Sequence, residues 1–280
     1  MMNRSLSSQV PPSGKIRRYF TLKLSRKERT KDLGAGCRLR YDAHSMASTG
    51  ISRYLKETRQ PVYSAALVLP YFLVYHLGSM ILQTTFINGA DALIIRILSA
   101  FSVHSIFASA LVLLFTFVIW QLKTRADWSL DANTLMLLFL ESALYAAILF
   151  GLIGWLQVPL GLAAVHPEDR GGMEKLVLFC GAGIYEELFF RGFLLGSLLF
   201  LLPRLMRRKR LAAVFATVAA ALLFAMFHYV GPNGDPFSMG SFMQRTLGGL
   251  YFSTLFATRG FGVTASCHAL YDVFVGGLLR

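Results

Sequence analysis

Runs of about 20 mostly apolar residues alternate with short polar stretches along this 280-residue chain, at about 62–83, 103–122, 133–157, 174–202, 211–230, 241–257 and 261–279. A run of that length with few charges is what an α-helix needs to cross a hydrocarbon core roughly 30 Å thick. The pattern predicts an all-α fold, a polytopic transmembrane helical bundle of about seven spans. The stretch 84–102, containing ADALIIRILSAF, is less decisively patterned and supplies an interfacial helix or an eighth span. Residues 1–58 are polar and basic, with Pro11-Pro12 and several Gly and Ser, and predict a coil tail. They lack the continuous apolar core of a signal peptide. Met46 opens MASTGISRYLKETRQP, a compact basic lead into the first span, and is the expected natural start. The organisation expected is therefore a tail over 1–58 and a membrane domain over 59–280.

Composition strengthens this reading. The chain is 55% hydrophobic and 15% charged, where a soluble domain carries about a quarter of its residues as charged ones. The net charge of +13 is concentrated: residues 1–60 hold 14 Lys and Arg against the acids Glu28, Asp32, Asp42 and Glu57. Such a tail suits nucleic acid in principle, but it has no nucleic-acid fold pattern. Attraction to anionic lipid and orientation by the positive-inside rule explain it more simply. With seven spans, 22 of the Lys and Arg residues fall on one side, including the cluster 204–210. Four fall on the other (Arg96, Arg170, Lys175 and Arg280), while Arg191 and Arg245 lie inside spans. This asymmetry puts the N-terminus in the cytoplasm and the C-terminus outside, in a multi-pass protein of a plasma membrane, expected to be of the bacterial inner-membrane type. Cys37, Cys180 and Cys267 form no CxxC pair, which argues against a disulfide framework or zinc ribbon.

The ionisable residues inside the spans carry the candidate chemistry. GIYEELFFRG, residues 183–192, places two glutamates and an arginine where each costs roughly 2.5 kcal/mol or more at the bilayer centre. Glu187 and Arg191 are four apart, share a helical face and can neutralise each other. Glu186 points about 100° away at the 3.6-residue period, which leaves it free to face a cavity. Gly181 and Gly183 would let another helix approach closely. Phe224 and His228 in FAMFH share a face of the fifth span, and His268 and Asp272 in HALYD share a face of the seventh. A carboxylate beside imidazoles can act as general base toward water. Alternatively, His228, His268 and Asp272 can hold a divalent metal such as zinc. Spacing does not separate the two.

Other polar residues have simpler readings. His76 and His104 are expected to be structural or interfacial, and Tyr185 and Phe190 to be packing. Gly248-Gly249 reads as a close-packing notch. GPNGDP, 231–236, reads as a turn or a rim of the site. Glu141 is either buried and bonded across helices or part of the site lining. The competing functional classes are an ion- or proton-coupled transporter using the buried Glu and His groups, for which the paired broken helices of inverted repeats are missing, and a non-catalytic scaffold.

EELFFR (186–191), FAMFH (224–228) and HALYD (268–272), in this order with one per span, resemble the EExxxR, FxxxH and HxxxN/D motifs of the CPBP intramembrane proteases, the group that includes the CAAX prenyl-protein endopeptidases. The resemblance covers about 170–280, the expected catalytic core. It implies hydrolysis of a peptide bond in a membrane-associated protein or peptide, with the lipid bilayer as the other partner and no nucleic acid. Glu186 would be the general base that activates water, with His228 orienting it. His268 and Asp272 would polarise the scissile carbonyl, or the histidines would bind metal in a metalloprotease. Glu187 and Arg191 would be the structural pair, and Phe224 would line the site. Asp272 stands where the prenyl-protein proteases have Asn, so a carboxylate replaces a neutral donor. Related proteins process prenylated C-termini, bacteriocin-type peptides or sorting signals, and no residue here discriminates among them. The predicted topology sets His228 near the outer end of its span and His268 nearer the inner end of its own, a difference in depth that tilted or broken helices must close.

Overall fold

A computed structural model of the chain describes residues 50–82, 88–103, 107–160, 171–231 and 234–278. The basic tail up to residue 49, with Met46 and Cys37, lies outside these residues, as does His104. The compact unit that holds every helix below begins at Tyr54. Its helices are α1 (Pro61–Ile81), α2 (Gly89–Ser99), α3 (Ala108–Thr124), α4 (Ala132–Gln157), α5 (Gly172–Leu205), α6 (Lys209–Phe227), α7 (Met239–Arg259) and α8 (Phe261–Leu278). Among the described residues there is no strand.

Local chemistry accounts for several of these boundaries. α1 starts on Pro61, whose missing N–H would have no helical partner at that position. The Asn88 side chain accepts from the Ala90 N–H at the start of α2, and Asp131 accepts from the Thr134 N–H at the start of α4. α7 and α8 are joined by Gly260 alone, at φ 87°, a backbone conformation that favours glycine. α1, α4, α5 and α6 are long and apolar enough to cross a membrane, and α3 is shorter but apolar. At 26 residues α4 is ~39 Å long, more than a bilayer core requires and long enough to span one with tilt. α2, with 11 residues, is ~16 Å long and too short to cross. The weakly patterned stretch thus contributes a half-length helix.

α8 is the centre of the bundle. Residues 261–269 are buried without interruption, and the helix packs against α1, α4, α5 and α7. Val263 and Cys267 join Leu67, Leu138, Leu149 and Phe252 in one core cluster. Ala265 joins Val68, Tyr75 and Ile184 in another. Cys180 and Cys267 are buried free thiols. Leucines such as Leu73, Leu77, Leu114 and Leu144 point outward on the peripheral helices, as expected where the solvent is hydrocarbon. This is an integral membrane protein built as a helical bundle.

α5 is not the regular α-helix that the sequence pattern predicts. Its middle, Ala182–Leu195, winds as a π-helix between α-helical arms Gly172–Gly181 and Gly196–Leu205. π-turns are rare and concentrate at functional sites. α8 lies directly against this segment: a Cβ on Gly183 would stand 2.6 Å from the Ala265 carbonyl oxygen and 2.7 Å from Ala269 Cβ. Gly183→Ala is therefore expected to force the two backbones apart, at about 1–3 kcal/mol for overpacking. A lowered thermal unfolding midpoint in detergent checks this; an unchanged midpoint contradicts it. On the other side of the bundle, a Cβ on Gly249 would meet Ala221 Cα of α6 at 3.0 Å, whereas Gly248 has only Phe252 within 4.0 Å and faces a cavity. The expected glycine notch is thus Gly249 alone.

Glu141 bonds across helices. Its carboxylate accepts from Arg259 Nε at 2.5 Å, from Arg259 Nη2 at 2.7 Å and from the Tyr54 hydroxyl at 2.8 Å. Arg259 also donates to Thr58 Oγ1 at 3.0 Å. This bidentate pair ties α4 to the end of α7 and takes no part in the cavity described next. His76 is likewise interhelical, with Nε2 at 2.7 Å from the Tyr185 hydroxyl.

Candidate active site

A cavity of about 210 Å³ is lined by Glu186 and Phe179 of α5, Phe224 of α6 and its C-cap His228, residues Gln244, Arg245, Gly248 and Phe252 of α7, and residues from His268 to Gly276 of α8. The structure thus brings together Glu186, His228, His268, Asp272 and Phe224, from three separate helices. It achieves this by ending α6 early. The helix stops at Phe227, so His228 caps it, and the described residues 229–231 and 234–238 that follow are non-helical. His268, the eighth residue of α8, approaches the same Glu186 carboxylate as His228 does.

The π-turn changes how the two glutamates are disposed. Its wider turn rotates successive side chains by less than the α-helical ~100°, so Glu186 and Glu187 both reach α8. Glu187 is fully buried and its Oε1 accepts from Arg191 Nη1 at 2.9 Å. Arg191 also donates to the Gly249 carbonyl at 3.3 Å, and its guanidinium lies over the Phe224 ring at 4.3 Å. The pairing predicted from the i, i+4 spacing is present, with a third member. His268 Nδ1 is 2.7 Å from the same Glu187 oxygen. With Nδ1–H given to Glu187, the ring turns Nε2 toward the cavity, 3.6 Å from Asp272 Oδ2 and 3.9 Å from Glu186 Oε2. Phe252 stacks on the ring at 4.4 Å and holds its plane.

His228 is oriented by its own helix. Its Nδ1 lies 2.9 Å from the Phe224 carbonyl oxygen, which can only accept, so Nδ1 carries a proton. Nε2 then faces Glu186 Oε2 at 3.8 Å, too far for a direct bond and close to the span of a bridging water. Glu186 Oε1 accepts from Asn88 Nδ2 at 2.9 Å, while its Oε2 is buried with no hydrogen-bond partner among the described residues.

Asn88, Gln244 and Arg245 are the residues that sequence reasoning missed. Arg245 lines the cavity and is ion-paired to Asp235, whose backbone N–H donates to the His228 carbonyl at 2.8 Å. The described part of GPNGDP is therefore anchored both to His228 and to a cavity residue, as a rim would be. The Asn88 signal was present: Asn followed three residues later by Asp91 is a variant of the capping-box pattern, in a stretch whose apolar periodicity was weak.

His228, His268 and Asp272 were the candidate metal ligands. Among the described residues, no group of three or more His, Cys, Asp and Glu side chains is gathered to hold a metal ion. His268 has given Nδ1 to Glu187, and its Nε2 is 3.6 Å from the Asp272 carboxylate. A carboxylate on Nδ1 and a free Nε2 suit a histidine that acts on water as well as one that ligates a metal, and the chemistry considered below uses protein groups alone.

Residues 173–274, from the start of α5 to within α8, match the family model described as type II CAAX prenyl endopeptidase Rce1-like. The match spans 102 of the 280 residues and is a likeness to that family over the C-terminal part of the chain. No curated protein and no solved structure gives a match.

Proposed function

We propose, taking the CAAX protease-like match of residues 173–274 as the premise, that this chain is an intramembrane endopeptidase in which Glu186 is the general base. The observation that carries the reading is the placement of one carboxylate oxygen, Glu186 Oε2, with no hydrogen-bond partner among the described residues, 3.8 Å from His228 Nε2 and 3.9 Å from His268 Nε2 at a cavity inside the bundle. A water in that space donates one hydrogen to Glu186 and the other to His228 Nε2. Its oxygen attacks the scissile carbonyl carbon while Glu186 takes the proton. A second proton on His268 Nε2 makes that nitrogen the donor to the developing oxyanion, with Asp272 beside it to balance the imidazolium. Glu186 then passes its proton to the amide nitrogen as the C–N bond breaks, leaving a free amine and a carboxylic acid that ionises by giving its remaining proton to His228 Nε2.

Glu187 and Arg191 act one step back by fixing His268. The same proposal takes α1 and α3–α8 as the seven crossings, with α2 entering without crossing. It places the basic tail and the Arg204–Arg210 cluster in the cytoplasm on the charge asymmetry. The transporter reading is not favoured, because the family match points to hydrolysis.

The substrate is a membrane-associated protein or peptide. Comparing protein termini by proteomics, in membranes of cells carrying the wild-type chain or Glu186→Ala, is expected to show new termini only with the wild type. Identical termini in both would sink the reading. For the purified enzyme, a chelator is expected to leave cleavage unchanged.

A further inference from the structure

We propose that Asn88, which belongs to none of the site's motifs, is a positioning residue that holds Glu186 by one carboxylate oxygen and so leaves the other for water. The inference rests on the protease reading above and concerns how its base is held.

The Asn88 amide has no freedom to flip. Its Oδ1 accepts from the Ala90 N–H at 2.9 Å as the cap of α2, so the group facing Glu186 Oε1 at 2.9 Å is the NH2, which only donates. The residue is itself fixed through its backbone. The Asn88 N–H donates to the Tyr75 hydroxyl at 3.2 Å, and that hydroxyl donates to Asp91 Oδ2 at 2.6 Å. Asp91 is in the first turn of α2, so the bonds close a loop between α1 and the N-terminus of α2.

Tyr75 also sets this loop against α5. Its ring occupies the space of a missing Cβ at Gly181, 2.4 Å from where that atom would stand, and lies 5.5 Å from the Tyr185 ring. The start of α2 is therefore registered against the π segment by packing as well as by the amide. Glu186 cannot turn about its last torsion without giving up the Asn88 bond, so Oε2 stays between the two histidines. A base held in one orientation keeps its reacting geometry without further ordering.

The test uses the full chain in lipid nanodiscs and a pool of synthetic apolar peptides, with kinetics on the member cleaved fastest. Asn88→Ser keeps a capping oxygen but removes the donor to Glu186. We expect kcat to fall about 10- to 100-fold, the range of one hydrogen bond to a charged group. KM should stay within about twofold, because no substrate contact is lost. Asn88→Asp, which keeps the cap and turns the donor into an acceptor, should be slower still.

A Ser variant with wild-type kcat overturns the inference. So does one whose kcat falls only in step with a lowered unfolding midpoint, or whose KM rises as much as kcat falls, since neither is the loss of an oriented base. Glu186→Gln is run alongside. If it retains activity, or if the wild type cleaves nothing in the pool, the protease reading fails and this inference falls with it. If Glu186→Gln is dead and Asn88→Ser behaves as wild type, only the inference fails.

Discussion

Glu186→Gln is expected to reduce kcat for peptide cleavage by about 10²- to 10⁴-fold, the usual contribution of a positioned general base, while the variant still inserts and unfolds like the wild type. The substitution is close to isosteric. Its amide oxygen can still accept from Asn88 Nδ2, which now bonds Glu186 Oε1 at 2.9 Å, and a neutral side chain is cheaper to bury in a membrane. The base alone is lost, because an amide does not take a proton from water. His228→Ala is expected to abolish cleavage as well, since the water then loses the acceptor 3.8 Å from Glu186. Activity is measured on the purified protein and insertion by membrane extraction. A Gln variant as active as the wild type would remove Glu186 from the chemistry.

The second large effect is on stability. Arg191→Ala is expected to destabilise the bundle by about 3–5 kcal/mol, the cost of leaving a buried charge without its partner. Glu187 and Arg191 are 0% and 1% exposed, so solvent cannot take over. Replacing both by Met removes both charges at once and should recover most of the loss, because a buried pair exchanged for apolar residues is often nearly neutral. Activity is not expected to return, since His268 Nδ1 loses the acceptor at 2.7 Å that orients it. Unfolding in detergent and cleavage by the same preparations check both halves. An Arg191→Ala protein as stable as the wild type contradicts the first. A fully active double variant contradicts the second.

Much of this was legible in the apolar pattern, because a membrane helix must satisfy its backbone within itself. The runs at 133–157, 174–202 and 211–230 appear as α4, α5 and α6 with ends shifted by a few residues. The i, i+4 pair of Glu187 and Arg191 survives in a π-turn that the sequence did not announce, because four residues come nearly full circle in either winding. What the period did not reveal was that Glu186 and Glu187 would reach the same histidine. That depends on the π-turn and on Gly183 letting α8 approach, both of which are tertiary facts.

Long-range partners were the other blind spot. Glu141 stayed undecided because Arg259 is 118 residues away in the chain. Asn88, 98 residues before Glu186, lay in a stretch with no clear face. α7 reads as a weak span because it spends Gln244 and Arg245 on the cavity and Arg259 on Glu141. Local pattern finds the surfaces that face lipid. It is poor at showing which polar groups face each other inside.

The central claim, that Glu186 activates water to hydrolyse a peptide bond inside this bundle, is tested most directly by cleavage of the peptide pool in H2¹⁸O, read by mass spectrometry. Purified wild-type protein is predicted to yield products whose new C-terminal carboxylate carries one ¹⁸O, and Glu186→Gln to form them at least about 100-fold more slowly. Labelled product formed by Glu186→Gln at the wild-type rate, or no product from the wild type, would contradict it.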